Sequence, residues 1–129
     1  MNIPLLIASM LSLLAFGVHA FIGDKEYRAL KPEEAAPIKV KETWIQARAG
    51  WHWVSTDLLL SGMLLLIMAT TSIIEAKAEI SLLLSLYFFA CGVAWLITVI
   101  RSKSQSKQVY VLGQWIFCFL MSGLIYSGF

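Results

Sequence analysis

Four long apolar runs constrain this chain more than any other feature, because each is long enough to cross a lipid bilayer. They cover roughly residues 2–21, 51–74, 80–100 and 110–128, and a membrane-spanning helix needs about 20 apolar residues. In lipid the backbone polar groups must bond within the segment, so such a run folds as a helix. We therefore predict an all-α, polytopic membrane protein: one domain, residues 1–129, with four transmembrane helices in an up-down bundle.

The composition excludes a soluble domain of this length. Hydrophobic residues make up 59% of the 129 residues and charged residues only 14%, whereas a small soluble domain has too much surface for such a balance. The net charge is +2, and no basic patch interleaved with aromatic residues indicates nucleic acid. Cys91 and Cys118 fall near the middle of predicted spans, where a thiol usually serves as a small buried hydrophobe.

Lysine and arginine are distributed unevenly between the connections. Residues 22–50 carry six and residues 101–109 carry three, whereas the 75–79 turn has one. Because cytoplasmic loops are enriched in these residues, we predict that 22–50 is a long charged cytoplasmic loop, that 101–109 is also cytoplasmic and that both termini lie outside. In a bacterium the membrane would be the inner one. Residues 38–49 suit either an interfacial helix or an extension of the second span.

The first apolar run also ends like a signal-peptide cleavage site, in Val18-His19-Ala20. The run lacks a preceding lysine or arginine and fills a whole span, so we expect a retained helix.

Asp57 is the most unusual residue of the predicted spans. It lies six residues past Trp51, roughly 9 Å along a helix axis, and an ionised group at the centre of a membrane helix costs about 2.5–3.5 kcal/mol. A carboxylate at this depth needs a partner, a polar cavity or a proton. An intramembrane acid is a functional or assembly hypothesis by default, and we predict a polar pocket around Asp57 in the cytoplasmic half of the bilayer.

The candidate partners of Asp57 fall in the same half of the bilayer. They are His19, Glu26, His52, Arg101 and Gln114. His19 and His52 are candidate acid–base residues together with Asp57, and Gln114, Arg101 and Glu26 are candidate contacts to a substrate or partner. Helical spacing predicts that one face of span one carries Ser9, Ser12, Phe16, His19, Gly23 and Glu26.

Two imidazoles and a carboxylate are also ligand types for zinc or iron, and two histidines at similar depth suit a haem. No HxxxH, HExxH or CxxC motif supports either group. A metal site at His19, His52 and Asp57 is therefore a hypothesis that we do not favour, and we assign no cofactor.

The pattern leaves two classes of function open, so the sequence does not decide whether the chain is an enzyme. We favour an accessory or assembly subunit of a membrane complex, or a homo-oligomer, in contact with membrane lipids. The alternative is a small lipid- or isoprenoid-modifying enzyme, or a proton-coupled transporter, in which Asp57 acts with His19 and His52. In size and layout the chain resembles the small multidrug resistance transporters, but those carry their key glutamate in span one, where this chain has none.

Overall fold

The computed structural model describes residues 1–102 and 113–128, and its regular elements are helices. They are α1 (Ile3–Gly17), a π-helical turn (Val18–Gly23), α2 (Asp24–Ala29), α3 (Ile38–Thr70), α4 (Lys77–Arg101) and α5 (Gln114–Ser127). The described residues contain no strand. The prediction of an all-α protein is confirmed.

Three of the helices are long and apolar enough to cross a membrane: Ile3–Ala29, Ile38–Thr70 and Lys77–Arg101. They support a membrane-embedded protein. α5 is apolar but has 14 residues, about 21 Å at 1.5 Å per residue, which is less than the roughly 30 Å of a bilayer core. The predicted span 110–128 begins outside the described residues, and most of the predicted loop 101–109 lies outside them. The fourth crossing therefore stays a prediction.

Much of the segment predicted as a long charged loop is helical. α3 begins at Ile38 and runs through Gly50 without a break, so residues 38–49 extend the second span. The helix from Ile3 likewise continues to Ala29. Lys, Glu, Gln, Arg and Ala dominate the start of α3 and favour helix, which leaves residues 30–37 as the connection.

The chain divides into two compact units. We call Ser9–Leu64 the hairpin unit, and Met1–Ala8 with Leu65–Phe129 the terminal unit. The single-domain interpretation of the sequence stays a prediction.

Two serines join the antiparallel α1 and α3 within the hairpin unit. Ser9 Oγ donates to the Gly62 carbonyl oxygen at 2.8 Å, and Ser12 Oγ donates to the Leu58 carbonyl oxygen at 2.7 Å. Both serines are fully buried. A Cβ at Gly62 would lie 2.8 Å from the Leu13 side chain. The two helices therefore meet as membrane helices commonly do, through small residues and hydroxyl bonds to the facing backbone.

Small residues also join α4 and α5 within the terminal unit. Ser85 Oγ donates to the Ser122 carbonyl oxygen at 3.0 Å. Gly92 lies against Phe119, whose ring would be 2.9 Å from a Cβ at this glycine. The buried side chains of this unit include Leu5, Met68, Phe88, Met121 and Ile125.

Lys77, the one cation of the 75–79 turn, caps the end of α3. Its Nζ donates to the Met68 carbonyl oxygen at 2.7 Å and also to the Thr71 carbonyl oxygen. The last carbonyls of a helix lack partners in the helix, and a cation there is favoured by the helix dipole. This lysine therefore has a local structural role.

Candidate functional site

The π-helical turn Val18–Gly23 carries His19 and directs it towards α3. A π-helical turn bonds residue i to i+5 and is often found at functional sites. His19 Nδ1 lies 2.9 Å from Ser55 Oγ, and the imidazole stacks on the Trp51 indole with a centroid distance of 3.8 Å and an interplanar angle of 9°. Trp51 Nε1 donates to the His19 carbonyl oxygen at 3.0 Å. These three contacts fix the histidine in position and orientation.

Gly23 makes the close approach of Trp51 sterically feasible. A Cβ at this position would lie 2.3 Å from Trp51 Cζ2, far inside contact distance. Any side chain here would displace the indole, and with it the surface on which the His19 imidazole stacks.

Asp24 is the centre of a charged cluster that joins α2 to α3. Its carboxylate accepts from Arg48 Nε at 3.1 Å and from the Arg48 terminal nitrogen at 3.4 Å. Arg28 Nε lies 3.1 Å away, and His52 Nε2 lies 3.3 Å away. We call these four residues the Asp24 cluster. The Asp24 side chain is only 11% exposed, so its charge is enclosed by the cationic groups.

The cations of the Asp24 cluster remain partly in contact with solvent. The side-chain exposures are 59% for Arg28, 33% for Arg48 and 47% for His52. The Arg48 guanidinium also lies over the Trp44 ring, 5.5 Å from its centroid, which adds a cation–π attraction. The two arginines outnumber the carboxylate, and the His52 contact is an ion pair only when the imidazole is protonated.

The structure brings only some of the sequence-predicted site residues together. His19 contacts Ser55 and Trp51 of α3, and His52 contacts Asp24 of α2. Glu26, in contrast, is exposed on α2. Asp57 is exposed on α3, two residues past the buried Ser55, which is about 200° around a helix. The role predicted for Asp57 stays a prediction.

Arg101 and Gln114 belong to the terminal unit. Both side chains are exposed, Arg101 at the end of α4 and Gln114 at the start of α5. Their predicted role as contacts to a substrate or partner also stays a prediction.

Asp24 is a site residue that the sequence pattern does not predict. One local signal was present, because Asp24 and Arg28 have the i,i+4 spacing of a helical ion pair. The pairing with Arg48, 24 positions along the chain, depends on how α3 returns beside α2.

Within residues 1–102 and 113–128, no three His, Cys, Asp or Glu side chains converge as they would around a metal ion. Clefts in this part of the chain include one near Asn2 and Lys77 and one near Lys41 and Trp44. Neither is lined by His19, Asp24 or His52. Comparison with known protein families, with curated proteins and with solved structures finds no match.

Proposed function

We propose that this protein is a small integral membrane subunit that assembles with other membrane chains, as a homo-oligomer or within a larger complex. The observation that carries the proposal is the internal engagement of the Asp24 cluster and of His19. Each of these polar groups contacts another residue of the hairpin unit. Such groups are suited to holding membrane helices against one another.

The assembly surface that we propose is the exposed face of α3. Trp53, Asp57 and Leu60 are exposed and follow i−4 and i+3 spacing around Asp57, so they share one side of the helix. Ser55, which faces the π-helical turn, and Leu58, which faces α1, are buried. An acidic residue on an exposed face of a membrane helix is a functional or assembly hypothesis by default, which supports a protein neighbour at this side.

Site-specific photo-crosslinking in native membranes tests this assignment. A photoreactive residue at Leu60 is expected to crosslink a second protein chain, and Asp57→Asn is expected to lower the yield strongly. The matched control is Leu14, an exposed residue of α1, where only lipid adducts are expected. Equal yields of protein adducts at both positions, or none at Leu60, would contradict the proposal.

We also propose the orientation that the charge distribution favours, with both termini outside and residues 22–50 and 101–109 in the cytoplasm. Glu33 is exposed in the connection between α2 and α3. A Glu33→Cys variant is expected to resist an impermeant thiol reagent in intact cells and to react after permeabilisation. Labelling in intact cells would contradict the proposed orientation and would place residues 22–50 outside.

A second candidate function is acid–base chemistry on a lipid or isoprenoid, or proton-coupled transport, with His19, His52 and Asp57. The π-helical turn at His19 favours it, since such turns recur at functional sites. If this function is correct, Asp57→Asn assembles normally but abolishes proton uptake or lipid turnover in reconstituted vesicles. If assembly is the function, the same variant loses the crosslink at Leu60.

A further inference from the structure

A cleft of about 560 Å³ opens beside the connection between α2 and α3. Its lining residues are Lys31, Pro32, Glu34, Lys41, Trp44 and Ile45. The lining thus combines two ammonium groups and one carboxylate with apolar surface from an indole, an isoleucine and a proline. This combination of net positive charge and apolar surface suits an amphipathic anion.

The walls of the cleft are held in place by hydrogen bonds and a ring contact. Lys41 Nζ donates to the Glu34 carbonyl oxygen, and an ammonium group has three N–H donors, so it retains donors for a further acceptor. Trp44 Nε1 donates to the Tyr27 carbonyl oxygen at 3.4 Å, and the Arg48 guanidinium lies over the same indole. The cation and the ring are therefore positioned before any ligand arrives.

The cleft lies where a membrane surface is expected. Ile45 is six residues before Trp51, roughly 9 Å along the helix axis from the predicted start of the second apolar run. Ile45 of the cleft is 59% exposed, and two apolar residues close in sequence to the lining residues are also exposed, Leu30 at 72% and Ile38 at 75%. Apolar side chains exposed between lysines are typical of a segment at the headgroup level.

We propose that this cleft binds the headgroup phosphate of an anionic phospholipid. The Lys31 and Lys41 ammonium groups donate to the phosphate oxygens, and Trp44 and Ile45 contact the upper part of the acyl chains. Basic residues at a membrane surface attract anionic lipids in this way. The site does not depend on the proposed assembly, because every lining residue belongs to the hairpin unit.

Native mass spectrometry of the full chain in mild detergent tests the proposal by titration with phosphatidylglycerol, phosphatidylcholine and inorganic phosphate. The wild type is expected to bind phosphatidylglycerol at least about fivefold more tightly than phosphatidylcholine. Lys31→Gln and Lys41→Gln are each expected to weaken phosphatidylglycerol binding by about fivefold. Lys41→Arg keeps the charge and is expected to retain binding.

The matched control is Lys39→Gln, which removes the same charge two residues from Lys41 on a residue that does not line the cleft. Binding within about twofold of the wild type is expected for this control. An equal loss of phosphatidylglycerol affinity in Lys39→Gln would contradict a defined site and would indicate diffuse attraction to the basic surface. Two results with the wild type alone would also overturn the proposal. One is equal binding of the two lipids, and the other is inorganic phosphate binding as tightly as phosphatidylglycerol.

Discussion

The hairpin unit and the terminal unit hold their helices together with different chemistry. Both use a serine hydroxyl that donates to a carbonyl of the facing helix, and both contain a glycine that admits a neighbouring side chain. The hairpin unit adds the Asp24 cluster and the His19–Trp51 stack. In the described part of the terminal unit, the contacts between α4 and α5 include aromatic ring pairs, such as Phe88 with Phe117 and Phe89 with Phe119.

The difference follows from where each set of contacts lies relative to the apolar runs. Charged groups are costly within the hydrocarbon region, so helices there associate through close packing and short hydroxyl bonds. The Asp24 cluster lies beyond the first apolar run, where Arg28, Arg48 and His52 keep part of their surface in water. An ion-pair cluster there avoids much of the desolvation cost of a buried charge.

The largest effect is expected from removing the charge at the centre of the Asp24 cluster. Asp24→Asn leaves two arginines close together without a counter-ion, so the thermal unfolding midpoint in detergent should fall by several degrees. Glu26→Gln makes the same chemical change two residues away on an exposed side chain and should leave the midpoint unchanged. Equal unfolding midpoints for the two variants would mean that the Asp24 cluster does not stabilise the fold.

A side chain at Gly23 should have the next largest effect. Gly23→Ala places a Cβ 2.3 Å from Trp51, and overpacking of this kind costs about 1–3 kcal/mol. Gly17→Ala is the control, since nothing lies within 4 Å of a Cβ there. The free energy of unfolding should fall only for Gly23→Ala, with loss of the near-ultraviolet dichroism contributed by the stacked Trp51.

The corresponding test in the terminal unit is Gly92→Ala. The new Cβ would lie 2.9 Å from the Phe119 ring and 3.2 Å from Cys118 Cβ, so a loss of about 1 kcal/mol is expected. Gly123→Ala has open space around its Cβ and is the matched control. Equal stability of the two variants would show that α4 and α5 do not meet at Gly92.

The smallest effects are expected from the serines. Ser12→Ala removes one hydroxyl bond between helices, and Ser85→Ala removes two, to the carbonyl and the hydroxyl of Ser122. Each such bond is worth about 0.6 kcal/mol in membrane proteins. Ser127 donates to Leu124 within its own helix, so Ser127→Ala should cost less than either. Losses of several kcal/mol for one interhelical serine would mean that the hydroxyls contribute more than close packing does.

The sequence predicts the helices well because long apolar runs allow little else in lipid. It points to His19 and His52 but does not predict Asp24, because the π-helical turn changes which residues share a face. Uniform α-helical spacing aligns His19 with Gly23 and Glu26, yet Asp24 is the buried residue and Glu26 is exposed. A π-helical turn bonds residue i to i+5, which brings Asp24 towards the side of His19.

For Asp57 the sequence shows the residue but not its position on the helix surface. Its cost in an apolar helix is evident from the sequence alone, but the side of α3 on which it lies depends on which residues pack against α1. Leu58 packs against α1 and Ser55 against the π-helical turn, so the carboxylate lies on an exposed face.

A double-mutant cycle between Asp24 and Arg48 tests most directly the central claim that the Asp24 cluster holds α2 on α3. The thermal unfolding midpoint is measured for the wild type, Asp24→Asn, Arg48→Gln and the double variant in the same detergent. Residues in one ion-pair network are expected to be strongly non-additive. Arg48→Gln should therefore lower the midpoint clearly in the wild type and little in Asp24→Asn, whereas an equal drop in both backgrounds would contradict the claim.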